Sequence, residues 1–329
     1  MTTVSGTGAK ERTQGTSQPS GRREQHSFRT RLSMWDIKYM PYVLVAPFFI
    51  LFAIFGLFPL IYNGVVSLRR WRLDDPSGDR FVGLDNYRKL LGDSDFWNAL
   101  YNTFGIFIVG TIPQLLIALV LAGLLNRKLK AMILFRMGVL VPYITPIAAS
   151  TLVFGAVFGG GNGIANYLLS LVGVDPIDWR ASRPASWTAI SVMVNWRWIG
   201  YMTLIYLAAM QSVSRDIYEA AALDGASARR QFWRITVPLI RPTIVFSAVI
   251  ATIGMMQLFT EPLLFDSNPA TASGGSAGQF QTVAMLIYET GWKDLNLGYA
   301  GAMSWMVFLV IIILAAVNAF LTNRIGGKR

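Results

Sequence analysis

Cysteine is absent from the 329 residues, and histidine occurs once, as His26 in a polar N-terminal stretch. The body of the chain therefore lacks thiol nucleophiles, disulfides, histidine general bases and the usual zinc or haem ligands. Most hydrolytic and redox chemistry is excluded with them, although a carboxylate or serine enzyme stays open on composition alone. Charge is scarce too. Only 14% of residues are charged against 53% hydrophobic, which is too apolar for a soluble domain of this length and fits a chain held in a bilayer. No GxxxxGK[ST] loop occurs either. The glycine-rich stretches at 159–163 and 274–278 carry no lysine to reach a nucleotide phosphate, so any ATP that powers this protein must be bound by another chain.

Basic residues outnumber acidic ones, 29 to 18, but they cluster in short segments beside apolar runs. That is the marking of cytoplasmic loops in a membrane protein, and it accounts for the charge better than nucleic acid does. Residues 1–36 read as a basic, disordered cytoplasmic tail, because the Gly, Ser, Thr, Gln and Arg that dominate its first 30 residues bury too little to offset ordering entropy. The first apolar run, from about Tyr42, is too long for a signal-peptide core and reads as an uncleaved anchor.

A helix needs ~20 apolar residues to cross the hydrocarbon core. Six runs meet that length, at roughly 42–68, 100–125, 133–158, 187–210, 242–265 and 298–321, giving an all-α, polytopic permease domain over 37–329. Pro47 and Pro59 fall in the first run, and Pro142 and Pro146 in the third, as kinks or as walls of a moving cavity. The basic residues set the orientation. Arg22, Arg23, Arg29 and Arg31, then Arg127, Lys128, Lys130 and Arg136, then Arg229, Arg230, Arg234 and Arg241, and last Arg324, Lys328 and Arg329 place both termini in the cytoplasm. The first outer loop is the awkward one, since Arg69, Arg70, Arg72, Arg80, Arg88 and Lys89 are balanced there by six aspartates between Asp74 and Asp95. The outer connections at 159–186 (Asn162, Asn166, Asp175, Asp178, Trp179) and 266–297 (Asn268, Gly274, Trp292, Asp294) are long enough to be functional or merely solvated.

One cytoplasmic segment, 211–242, is polar within this apolar chain. Glu219, Ala220 and Ala221 open a helix-forming run, Asp224-Gly225 breaks it, and Pro238 and Pro242 close the segment. By its residues alone it is a compact knob at the membrane surface, either lying on anionic lipid or presenting Phe232 and Trp233 to a partner. The sequence Glu219-Ala220-Ala221, then Asp224-Gly225-Ala226, then Ile235 and Pro238, resembles the EAA loop of the membrane subunits of ATP-binding-cassette importers. The glycine stands six residues after the glutamate, and the Ile-x-x-Pro end matches; Val237 departs from the usual leucine. The resemblance implies a type I importer transmembrane domain whose loop, through Glu219, Ala220, Ala221, Asp224, Gly225, Ala226, Phe232 and Pro238, enters a cleft of a separate ATPase.

The resemblance spans about residues 40–325, and its texture is similar to the maltose-type carbohydrate permeases, in VGLDNYRKLLGDSDFWNALYNT (residues 82–103), in residues 141–150, and in residues 196–218. It implies a second permease subunit, in a heterodimer, two copies of a cytoplasmic ATP-binding subunit, and an extracytoplasmic sugar-binding protein. ATP and Mg would sit on the ATPase, leaving no cofactor in this chain, and the site is a bacterial cytoplasmic membrane. The expected cargo is a di- or oligosaccharide, with another solute such as a glycerol phosphodiester as the alternative. Polar residues inside spans are functional hypotheses, or interhelical glue. Asn195, Trp196 and Tyr201 in the fourth run and Gln257, Phe259 and Glu261 in the fifth are the candidate substrate pathway. Arg197 at that depth is costly, and it either pairs with Glu261, as a structural pair or a gate, or snorkels outward as an end-of-helix residue. A secondary transporter would need an intramembrane acid relay, which is not found apart from Glu261.

Overall fold

The computed structural model describes residues 28–127, 130–161, 163–265 and 274–326. Residues 1–27 of the expected tail, together with Lys128, Asn162, Asn268, Lys328 and Arg329, lie outside them. Helix begins at Phe28, so residues 28–36 of the expected tail are helical and not disordered.

Within residues 1–60, α1 (Phe28–Phe52) carries Pro41 and Pro47 inside it and runs into a π-helical turn at Ala53–Leu57. Pro59 has no N–H for the carbonyl one turn back, and the ladder widens just before it, Phe58 donating to the Ala53 carbonyl. α2 (Phe58–Ser67) continues the same rod. The most apolar window of Tyr39–Ser67 has none of its residues buried within the chain.

From residue 61 onward, the frame is α4 (Ser94–Leu125) packed along α8 (Arg183–Gln211). α3 (Asp85–Leu91) precedes α4 and packs on the last helix, α15 (Leu297–Gly326). The third apolar run forms two helices, α5 (Met132–Ile144) and α6 (Ile147–Val157), at 91° to each other; α5 lies on α8, and α6 mainly on α13 (Thr260–Phe265). α7 (Ile164–Ser170) fills part of the outer connection, while α9 (Arg215–Leu223), α10 (Ala228–Gln231) and α11 (Val237–Leu239) build the polar segment. α12 (Arg241–Met256) packs on α4 and α15, and α14 (Val283–Tyr288) leads into the last helix.

Small residues make these approaches possible. Ala99, Ala118, Ala122 and Ala189 are fully buried in the helix contacts, where van der Waals packing and not water exclusion drives association. One core cluster joins Ile106, Ile190, Met193 and Met255, a second joins Leu119, Met202, Tyr206 and Ile240, and a third joins Leu90, Phe96, Met256 and Met303.

The described parts of the connections at 159–186 and 274–297 are fastened by side-chain hydrogen bonds. Asn166 spends its whole amide there, donating to the Gly160 and Ile177 carbonyls at 2.9 Å and accepting from the Ile177 N–H and Trp179 Nε1. The stretch 274–281 is stitched to α4, where Asn98 and Asn102 donate to the Gly278 carbonyl at 3.0 and 2.7 Å. Two short antiparallel strands, β1 (Arg69–Arg70) and β2 (Arg80–Phe81), close the loop that follows α2. Arg69 grips Asp79 through two 2.8 Å bonds, which hold that carboxyl below its ordinary range; the balanced charges of this loop are thus partly paired.

The expectation of six spans meets a coarser result. Among the described residues three helices, Tyr39–Ser67, Ser94–Leu125 and Leu297–Asn318, are long and apolar enough to cross a membrane, and two bent pairs raise the number to five. α8 is long enough but carries Asn195 and Arg197 in its middle. It is wrapped by α4, α5 and α12, and a helix covered by protein is released from being apolar all round. The fifth run also ends early: α12 stops at Met256, and Gln257 to Phe259 separate it from α13.

Candidate functional site

The residues proposed for a substrate pathway divide in the structure. Gln257, Phe259 and Glu261 line one cavity of about 280 Å³ between α4, α6, α8 and the α12–α13 junction. Gln114, Arg197 and Trp198 line it with them, and of these Gln114 was not anticipated. The face of α8 turned to the cavity runs Val194, Arg197, Trp198 and Met202, which is the three-and-four spacing of one helical stripe.

Asn195, Trp196 and Tyr201 are off that stripe. Asn195 points at α4, donating to the Gly110 carbonyl at 3.1 Å, which is the interhelical glue that a buried amide supplies. Trp196 is 40% exposed and meets Phe154 edge to face. Tyr201 stacks on Tyr143 at 4.9 Å and buttresses Trp198 from behind at 5.9 Å. The helical period separates these neighbours in sequence by about 100° each, so no composition argument could have sorted them.

Arg197 finds the expected partner: its Nη1 lies 3.4 Å from Glu261 Oε1, with side chains 13% and 5% exposed. The carboxylate is delivered by the first turn of α13, which starts three residues after the break at Gln257.

The polar segment folds as a helical knob. Ser214 caps α9 through the Asp216 N–H, and the helix ends in a Schellman turn: Ala226 N–H reaches the Ala221 carbonyl at 2.9 Å and Gly225 N–H the Ala222 carbonyl at 3.0 Å. Gly225 takes φ +77°, a conformation in which a Cβ is strained. Glu219, Ala220, Asp224 and Gly225 are exposed, as is Pro238; Ala221, Ala226 and Phe232 are half-buried. A second π turn, Phe232–Thr236, stands just before Pro238, repeating the arrangement at Pro59.

Of the two aromatic anchors, Trp233 is 47% exposed while Phe232 turns inward onto Gly123 of α4. The large apolar side chain that the knob does present is Leu223, 91% exposed at its tip. It was readable as the apolar residue next to the Asp-Gly break.

Tyr218 hydroxyl to Thr236 Oγ1, at 3.0 Å, ties α9 back to the π turn, and Gln231 donates to the Ala226 carbonyl at 2.9 Å. Tyr218→Phe is expected to loosen the knob by about 0.5–1.5 kcal/mol, the net worth of one hydrogen bond. Hydrogen–deuterium exchange over 215–226 should accelerate; unchanged exchange would show that the bond fastens nothing.

A bundle of apolar helices around a small cavity that holds a charge pair, with an amphipathic knob on one surface, defines a membrane transport subunit. The profile described as binding-protein-dependent transport system inner membrane component matches residues 114–326. The arabinooligosaccharides transport system permease protein AraP of Halalkalibacterium halodurans is 31% identical over 288 residues, covering 87% of this chain and 88% of that protein. The lactose transport system permease protein LacF of Rhizobium radiobacter is 32% identical over 278 residues, covering 83% and 91%. A crystal structure of a bacterial alginate ABC transporter, in complex with an alginate pentasaccharide-bound periplasmic protein, superposes with a TM-score of 0.74 at 20% identity, over 89% of this chain and 97% of that one. That likeness is one of fold. The chain belongs to the binding-protein-dependent permease family and is an integral membrane protein.

Proposed function

We propose that this chain is one of two permease subunits, paired as a heterodimer, of an ATP-driven importer that moves a di- or oligosaccharide inward by alternating access. In this reading α8 completes a set of six spans, both termini and the 211–242 segment are cytoplasmic, and the membrane is the bacterial cytoplasmic one. The knob at Glu219–Gly225, with Leu223 at its tip, docks into one of two ATPase subunits, which hold ATP and Mg. An external sugar-binding protein delivers the cargo to the outer side.

The observation that carries the cargo class is the cavity itself. Amides at Gln114 and Gln257, the flat wall of Trp198 and a neutralised charge pair suit a hydroxyl-rich, uncharged solute. The sugars in the names of AraP and LacF point the same way. Gln257, Phe259 and Glu261 remain the proposed contacts, while Asn195 and Tyr201 support the helices that carry them.

Another solute, such as a glycerol phosphodiester, is the weaker reading; the permease protein UgpA of Escherichia coli O6:K15:H31, 31% identical over 286 residues, is named for a different phosphorylated glycerol, sn-glycerol-3-phosphate. An anion would be repelled by Glu261, which lines the same cavity 3.4 Å from Arg197. Affinity purification of the intact complex decides the matter. We expect a second permease, an ATPase and a binding protein whose bound solute is a neutral saccharide. A phosphorylated or nitrogenous solute would overturn the cargo, and recovery of this chain without an ATPase would overturn the importer assembly.

A further inference from the structure

Two surface pairs of this chain close fully. Arg69 reaches both oxygens of Asp79, and Arg72 both oxygens of Asp74, at 2.8 to 2.9 Å. The buried pair does not. Arg197 and Glu261 meet through one contact at 3.4 Å, although withdrawal from water strengthens attraction and short two-point geometry is the stable form of such pairs. Arg197 Nε is buried and has no hydrogen-bond partner among the described residues. An unmet donor on a charged group is costly in a dry site. Both side chains line the 280 Å³ cavity, and no other described residue that lines it is charged.

We propose that the Arg197–Glu261 pair is a charge filter, completed by two neighbouring hydroxyls of an uncharged ligand. A hydroxyl is at once donor and acceptor, so it can accept from the guanidinium and donate to the carboxylate. Two adjacent hydroxyls do this side by side, each accepting from a guanidinium N–H and donating to a carboxylate oxygen. The pair as a whole is neutral. A carboxylate or phosphate ligand would be drawn to Arg197 and repelled by Glu261, and an ammonium ligand the reverse, so each loses what the diol keeps. The cavity volume lies just under the ~300 Å³ lower end for ligand pockets, matching one sugar ring on this chain's side. The inference rests on the sugar reading for the name of its ligand class; the physical requirement is a neutral vicinal diol.

Glucose and glucuronate test it, since they share the ring diols and differ by one carboxylate. Their apparent Kd values are measured by NMR titration of the assembled importer in nanodiscs, at matched ionic strength. The intact complex is expected to prefer glucose by tenfold or more. Glu261→Gln frees the arginine, and should improve glucuronate binding at least tenfold and reverse the preference. An unchanged glucose-to-glucuronate ratio in that variant, including no response to either, overturns the filter. Should it fail to assemble, the neutral double variant Arg197→Gln/Glu261→Gln decides: a tenfold or greater loss of glucose affinity supports ligand contact, and unchanged affinity makes the pair structural only. Failure of the two readings is distinguishable. A neutral non-sugar cargo on the binding protein sinks the sugar and spares the filter, whereas an indifferent Glu261→Gln sinks the filter and spares the sugar.

Discussion

Replacing Gly225 by valine is expected to abolish uptake while leaving the protein inserted in the membrane. A Cβ at this position would meet nothing within 4 Å, so the effect is one of conformation and not of space. Gly225 holds φ +77°, where a β-branched residue costs ~1–3 kcal/mol. The Schellman bonds from Ala226 and Gly225 depend on that angle, and they set the direction in which α9 stops and Leu223 projects. Forcing the chain out of the left-handed region unwinds the last turn of α9 and removes the tip from its place. Transport in proteoliposomes should fall at least tenfold, with ATP hydrolysis no longer responding to the loaded binding protein. Gly225→Asn, which tolerates the left-handed region, should retain much of the activity. Wild-type transport by Gly225→Val would remove the knob from the energy-coupling role proposed for it.

The largest effect on folding is expected at Gly200. There the backbones of α8 and α5 come so close that a Cβ would collide with the Val139 carbonyl. A carbonyl cannot swing aside as a side-chain end can. Gly200→Val should therefore cost at or above the ~3 kcal/mol upper end of overpacking penalties. The expected readout is a lowered melting temperature and loss of assembled complex on gel filtration. Gly138, one residue from the same contact, provides the control: a Cβ there meets nothing within 4 Å, and Gly138→Ala should melt with the wild type. Equal melting of the two variants would show that α5 and α8 are not held at that distance.

Helix existence was legible because long apolar runs allow little else in a bilayer. Helix breaks were not. Four prolines were visible in the first and third runs, yet Pro47 and Pro142 sit inside continuous helix and the sharp break falls at Thr145 and Pro146. A proline removes one donor, and only the neighbours decide whether the ladder bends, widens into a π turn as before Pro59 and Pro238, or ends. The break at Gln257 has no proline at all and could not be seen. The Arg197–Glu261 pair was one of two readings the sequence left open, since a charge within a span can pair with an opposite one or snorkel outward. The separation of Trp196 and Tyr201 from the cavity was not, because local sequence does not say which stripe of α8 faces inward. Phe232 and Leu223 show the same limit on the knob. Both are apolar residues in a polar segment, and only the position of Gly123 on α4 draws one of them in and leaves the other out.

The right angle between α5 and α6 divides one apolar run between two masters. α5 rides on α8, and α6 mainly on α13, the helix that carries Glu261. Arg197 stands on α8 and Glu261 on α13, so the charge pair and the residues Thr145 and Pro146 each bridge the same two groups of helices. The elbow is thus the short backbone link between a helix seated beside the arginine's helix and one seated beside the glutamate's, so the two halves of one apolar run lie on opposite sides of the charge pair.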